Sequence, residues 1–407
     1  MVVPLNKGRI VQHRFVTKFG RFWKYTSVIY ISLIFGIVFQ YWYFLPFPSR
    51  FDELAHVSYA VSAWHEFSLF PRIDQNKLPD GSQNYLVHPS LYYLILGGWA
   101  NIFEGSVLWA RLFNVLLHFA SIGIVILALP QGVDRSRAFL AMILLSLALP
   151  LPHVLGGLVT NDNLVFFAGA IMAYALSPRT SHRNMVGWAA LSVVIAGWSK
   201  LNALVLLYPV FFVACIFSMI WYGRVLRTVC TIIIVSVLCA IPYLVWLDRY
   251  GSVTPIFFVL DGPVRERMSV EFVFSAIRDA QFYEFLSVVI LPVTHSAFEP
   301  YPQGWLTLKY SILTLAVSLP VIAFFRADAA RRRLCIMLVA YLGGLCAAIS
   351  IHMIFIYRGY ECCEVIRAFH FRYYIGVYPL MIFAAGCVLG MRRSGHVADY
   401  TTSARPQ

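Results

Sequence analysis

The segment from Ser27 to Leu45 reads SVIYISLIFGIVFQYWYFL, 19 residues without one charge. A helix needs about 20 such residues to cross the ~30 Å hydrocarbon layer of a bilayer. Six basic residues precede the run (Lys7, Arg9, Arg14, Lys18, Arg21, Lys24), and Pro46-Phe47-Pro48 closes it. It is too long for the apolar core of a cleavable signal, and no small-residue cleavage site follows. An uncleaved first membrane span is therefore expected.

Further apolar runs of spanning length follow at 106–129, 138–156, 162–177, 184–199, 200–221, 225–247, 305–325, 334–357 and 371–391. With a first span at 26–46 they make ten. Two more runs, 89–103 and 285–298, are short, and the second contains Pro292. Both read as re-entrant or interfacial helices. The fold class expected is an all-α polytopic membrane protein of about ten transmembrane helices. Residues 1–393 form a single domain, and 394–407 a polar tail.

Composition agrees. Of 407 residues, 60% are hydrophobic and 13% charged, against about 45–50% and about 25% in an average soluble domain. The formal charge of +13 would suggest nucleic acid as a partner in a soluble chain. Its distribution excludes that. With the amino terminus in the cytoplasm, the inner loops hold 19 of the 32 basic residues and three of the 19 acidic ones, a balance of +16. This bias orients the chain with both termini cytoplasmic, as for a bacterial inner-membrane protein. Two large loops, 47–105 and 248–304, then lie outside. Six of the eight cysteines fall in apolar runs, where Cys acts as a small hydrophobe. No C-x-x-C or Cys/His spacing suggests zinc.

Chemistry-bearing residues gather on the outer side. Asp52-Glu53-Leu54-Ala55-His56 follows the first span. On a helix, Asp52 and His56 share a face. The cluster suits a carboxylate base with a histidine beside it; the alternative is a helix cap, with Glu53 complementing the dipole. Two carboxylates and one imidazole leave a divalent cation possible but need distant ligands to complete it. His88-Pro89-Ser90-Leu91-Tyr92-Tyr93 opens the short helix, as a contact for substrate or as a helix start with an aromatic belt. Asp162 lies in the turn Thr160-Asn161-Asp162-Asn163, as a cap or as support for the site. Arg111, Lys200 and Arg372 sit at membrane depth. They are candidates for holding a lipid phosphate, unless they snorkel to the interface.

The ordered set resembles the multi-spanning glycosyltransferases of the GT-C superfamily, in the branch of protein O-mannosyltransferases and the lipid A aminoarabinose transferase. It rests on Asp52-Glu53-x-x-His56, His88-Pro89 to Tyr93, Arg111, Asn161-Asp162, Ser199-Lys200 and Arg372-Tyr373 with Pro379. The resemblance implies a polyprenyl-phosphate-linked sugar as donor, a glycan, lipid or protein hydroxyl as acceptor, and inversion at the sugar carbon outside the cytoplasm. It implies Asp52 as general base, with Glu53 beside it in the catalytic motif. His56 and His88 would contact substrate, Arg111, Lys200 and Arg372 would bind it, and Asp162 would support the site or hold a cation. The resemblance implies no particular cofactor and leaves a divalent cation open. The competing reading is a transporter or flippase for an anionic lipid or sugar.

Overall fold

The computed structural model describes residues 24–49, 52–72, 76–84, 86, 88–131, 133–251 and 371–390, with isolated positions between 318 and 357. The loop expected outside at 248–304 beyond Gly251, most of the spans expected at 305–325 and 334–357, and the tail at 394–407 lie outside the described residues.

Among the described residues every regular element is helical, and strand pairing is limited to one isolated bridge, Lys77 to Gln83. In chain order the helices are α1 (Lys24–Phe44), α2 (Glu53–Glu66), α3 (Leu91–Ile102), α4 (Val107–Ala128), α5 (Arg135–Ala148) and α6 (Leu151–Gly156). Then come α7 (Asp162–Leu176), α8 (His182–Gly197), α9 (Leu201–Tyr222), α10 (Val225–Tyr250) and α11 (Tyr378–Gly390). Four of them, α1, α4, α9 and α10, are long and apolar enough to cross a membrane. Their exposed faces are apolar: Leu226, Ile233, Ile234 and Val237 on α10 all lie open. In water such a face would be a liability; in lipid it is the solvated surface. The chain is an integral membrane protein. Pro209 and Pro242 sit inside α9 and α10, tolerated as in other bilayer helices.

Two expected spans are broken. The run at 138–156 divides into α5 and α6, because Pro150 cannot continue a hydrogen-bonded ladder and biases the residue before it out of helix. The run at 371–391 opens as a 3-10 helix, Phe371–Val377, before α11. The short run at 89–103 forms the 12-residue α3.

Helix α7 is the axis of the bundle. All but two of its 15 residues are buried, and it packs against α4, α8 and α11. Gly169 lies at a close crossing: a Cβ there would run into the Gly376 carbonyl oxygen. Helices α2 and α3 pack together as a separate layer on a second apolar cluster that includes Tyr59, Tyr92, Tyr93 and Leu96. Gly97 sets their spacing, since a Cβ would meet Ala60 O and Trp64 Cβ, each at 2.6 Å.

Polar side chains tie the interior. His118 Nε2 on α4 shares a proton with His153 Nδ1 on α6 at 2.9 Å, and His153 Nε2 faces Ser146 Oγ on α5 at 2.9 Å. The Tyr378 hydroxyl on α11 lies 3.4 Å from both Ser146 Oγ and His153 Nε2. One polar knot thus joins four helices, the kind of interhelical contact that holds bundles when lipid removes the hydrophobic drive.

Candidate functional site

The site is built where α2, α3 and the amino ends of α4, α7 and α9 meet. Asp52 stands at the N-cap position of α2 with φ 61° and ψ 19°, in the left-handed region. An L-residue pays about 1–2 kcal/mol there, least for Asp and Asn. Its carbonyl oxygen accepts the His56 N–H at 3.0 Å, yet its carboxylate makes no capping bond. The side chain is half-buried at the mouth of the layer. Strained, non-glycine positions of this kind cluster at active sites.

Glu53, the next residue, turns the other way and is fully buried. Arg111 Nε donates to its Oε1 at 2.7 Å and Arg111 Nη2 to its Oε2 at 2.6 Å. The Val159 N–H adds a bond to Oε1 at 3.1 Å and the Ser49 N–H one to Oε2 at 3.2 Å. A carboxylate offers about four lone-pair sites, and protein donors take all four. Arg111 is equally occupied: its Nη1 also donates to Leu45 O at 2.7 Å, closing the carboxyl end of the first span.

Asp162 is the first residue of α7, not its cap. Its Oδ1 accepts from Lys200 Nζ at 2.7 Å and its Oδ2 from Thr160 Oγ1 at 3.1 Å. Lys200, at the head of α9, is 3% exposed: it turns inward onto Asp162 and does not snorkel. His56 is buried, with Nδ1 3.0 Å from the Tyr93 hydroxyl and the two rings nearly parallel. His88 is half-buried, and its carbonyl oxygen accepts from the Tyr59 hydroxyl at 2.7 Å. The Arg372 side chain lies outside the described residues.

These groups form one layer. The Leu91 N–H donates to Trp198 O at 3.3 Å, which sets the head of α3 beside the α8–α9 turn that carries Lys200. The Tyr92 hydroxyl is buried in the same layer: burial pushes its phenol well up, and the charges of Glu53 and Asp162 push the same way. It donates to Asn114 Oδ1 at 2.9 Å, and Asn163 Nδ2 reaches the same oxygen at 3.1 Å. Beside the layer, a half-open cavity of about 210 Å³ is lined by Ala60, Val61, Trp64, Leu96, Gly97 and Ala110. It shares α2 with His56 and α4 with Arg111. Among the described residues no three His, Cys, Asp or Glu side chains converge in a way that would hold a metal ion.

No protein-family model matches the sequence, and no curated protein matches it. Among solved structures, the chain is similar to ArnT from Cupriavidus metallidurans in the apo state, at 14% identity over 89% of this chain and 77% of that one, with a TM-score of 0.40. It is similar also to the same protein bound to undecaprenyl phosphate, at 14% identity over 89% and 76%, with a TM-score of 0.42. Likeness at this depth assigns no role to any side chain.

The chain-order reading of the residues misses three members of this layer: Asn114, the amide of Asn163 and the Tyr92 hydroxyl. The signal that finds Asn114 is spacing. Arg111, Asn114, His118 and Ser121 recur at intervals of three and four along an otherwise apolar helix, which puts them on one face. All four are buried.

Proposed function

We propose that this chain transfers a sugar from a polyprenyl-phosphate donor to an acceptor hydroxyl at the extracytoplasmic face, by a single inverting displacement with Asp52 as general base. The observation that carries the reading is the contrast between two adjacent carboxylates. Glu53 has every acceptor site filled by protein, whereas Asp52 is half-exposed, held in a strained conformation and not spent on capping its helix.

The step is simple to balance. The acceptor O–H gives its proton to Asp52 as its oxygen bonds to the sugar carbon. The bond from that carbon to the phosphate oxygen breaks, and the phosphate leaves with the electron pair. A phosphate leaving group needs positive charge and no proton. Arg372 is assigned that contact. His56, buried against Tyr93, and the half-buried His88 are assigned to shaping the acceptor side. Glu53–Arg111 and Asp162–Lys200 are assigned to building the layer. Neither pair carries net charge, so neither costs what a lone buried ion would.

Asp162 and Lys200 sit at the first turns of α7 and α9, paired with each other. That end-of-helix position favours an interfacial site over a mid-membrane transport path. The test is Asp52→Asn in membranes carrying the full chain. Expected is a loss of transfer of about 10²-fold or more, with inversion at the sugar carbon in the wild-type product. Undiminished transfer would remove Asp52 from the mechanism.

A further inference from the structure

The two buried ion pairs are linked by a circuit of hydrogen bonds and short stretches of backbone, and its hub is a residue that carries no charge. Arg111 and Asn114 lie one turn apart on the buried face of α4. From Asn114 the path crosses to Asn163 on α7. Asn163 Nδ2 also donates to Leu155 O at 2.8 Å and to Leu158 O at 3.2 Å, clamping the turn before α7. That turn presents the Val159 N–H to Glu53, and Glu53 returns to Arg111. Asp162, adjacent to Asn163, hangs the second pair from the same turn.

The amide orientations are forced. Asn163 faces backbone carbonyls, which only its nitrogen can satisfy. Asn114 must therefore turn its oxygen toward Asn163, and its own nitrogen then meets Ala110 O at 3.0 Å. The oxygen accepts from Tyr92 as well. Asn114 is fully buried, so each of these bonds lacks a water substitute. An apolar residue would strand the Tyr92 hydroxyl. An aspartate would lose the donor to Ala110 and set a third carboxylate between Glu53 and Asp162.

We propose that Asn114 is a positioning residue for the transfer step, holding the Glu53–Arg111 and Asp162–Lys200 pairs in one register through Tyr92 and Asn163. Asn114 touches no reacting atom. It acts by fixing the frame on which Asp52 is mounted. This rests on the transfer reading above.

The test has two arms on the full chain in detergent. In the first, transfer kinetics of Asn114→Asp and of the milder Tyr92→Phe are compared with wild type. Expected is a fall in kcat of about tenfold for Asn114→Asp, a smaller fall for Tyr92→Phe, and a donor KM within about twofold. A rise in KM at unchanged kcat overturns the positioning role. The second arm reads melting temperature in a double-mutant cycle of Asn114→Leu with Glu53→Gln and needs no activity. Expected is a double-variant loss smaller than the sum of the single losses by about 2 °C or more. Additive losses overturn the circuit. A wild type that shows coupling in the cycle but transfers no sugar sinks the transferase reading and leaves the circuit standing.

Discussion

Asp52 and Glu53 are neighbours with similar chemistry, and removing one charge at a time should give opposite outcomes. In Glu53→Gln the amide keeps one oxygen acceptor and replaces the other with a donor. If the oxygen stays at the Oε1 position, the NH2 faces Arg111 Nη2 and the Ser49 N–H, two donors at 2.6 and 3.2 Å in the native chain. If the amide flips, it faces Arg111 Nε and the Val159 N–H, at 2.7 and 3.1 Å. Either rotamer loses two of four bonds and leaves the Arg111 charge buried without a counter-ion. Breaking a buried pair from one side costs about 3–5 kcal/mol. At about 2 °C per kcal/mol, that is a fall in melting temperature of about 6–10 °C. Asp52→Asn changes a half-buried group of the same size whose carboxylate makes no capping bond, so its melting temperature should fall by less than that of Glu53→Gln, while transfer is lost. Thermal unfolding in detergent by intrinsic fluorescence, run beside a transfer assay on the same preparations, measures both. A Glu53→Gln chain as stable as wild type would refute the reasoning, because it would mean that Glu53 is not the buried anchor of Arg111.

Three further outcomes follow from the same geometry. Lys200→Met strands Asp162 and should lower stability by about 3–5 kcal/mol, whereas Lys200→Met with Asp162→Leu should recover part of the loss; a melting comparison of the two decides. Gly169→Ala drives a methyl into the Gly376 backbone and should destabilise by about 1–3 kcal/mol or more, read as a lower melting temperature or a loss of folded yield. His153→Leu takes away the partner of His118 Nε2 and one of the partners of Ser146, for about 1–3 kcal/mol; an unchanged melting temperature would show that the knot contributes nothing.

How much of this was legible beforehand depends on the distance over which the deciding contact acts. Helices α4, α7 and α9 were readable to within a residue or two, because lipid demands a long apolar run and little else. The break between α5 and α6 was also written locally, in Pro150 and Pro152, but an apolar count alone runs through it. The outer layer was legible as a set. Asp52, Glu53, His56, Arg111, Asp162 and Lys200 all carry polarity where polarity is expensive. Who pairs with whom was not legible. Glu53 and Arg111 are 58 positions apart, Asp162 and Lys200 are 38, and no local rule links them. Nor does sequence say which of two adjacent carboxylates faces inward. They differ by about 100° around one helix, and only the packing of α4 and α7 against α2 decides it. Asn114 escaped because a single amide in an apolar run reads as filler until its spacing to Arg111 and His118 is noticed.

The buried polar stripe of α4 also bears on how the chain enters the membrane. A segment carrying Arg111, Asn114 and His118 partitions into hydrocarbon less readily than its length suggests. Synthesis supplies its partners in two instalments. Glu53 and Tyr92 emerge before α4, so the outer end of the stripe can be neutralised as the helix arrives. His153 emerges 35 residues after His118, and Tyr378 only 225 residues after His153. The middle of α4 therefore waits for α6 to bring His153, and the last helix of the described chain completes the knot by bringing Tyr378 to His153 and Ser146.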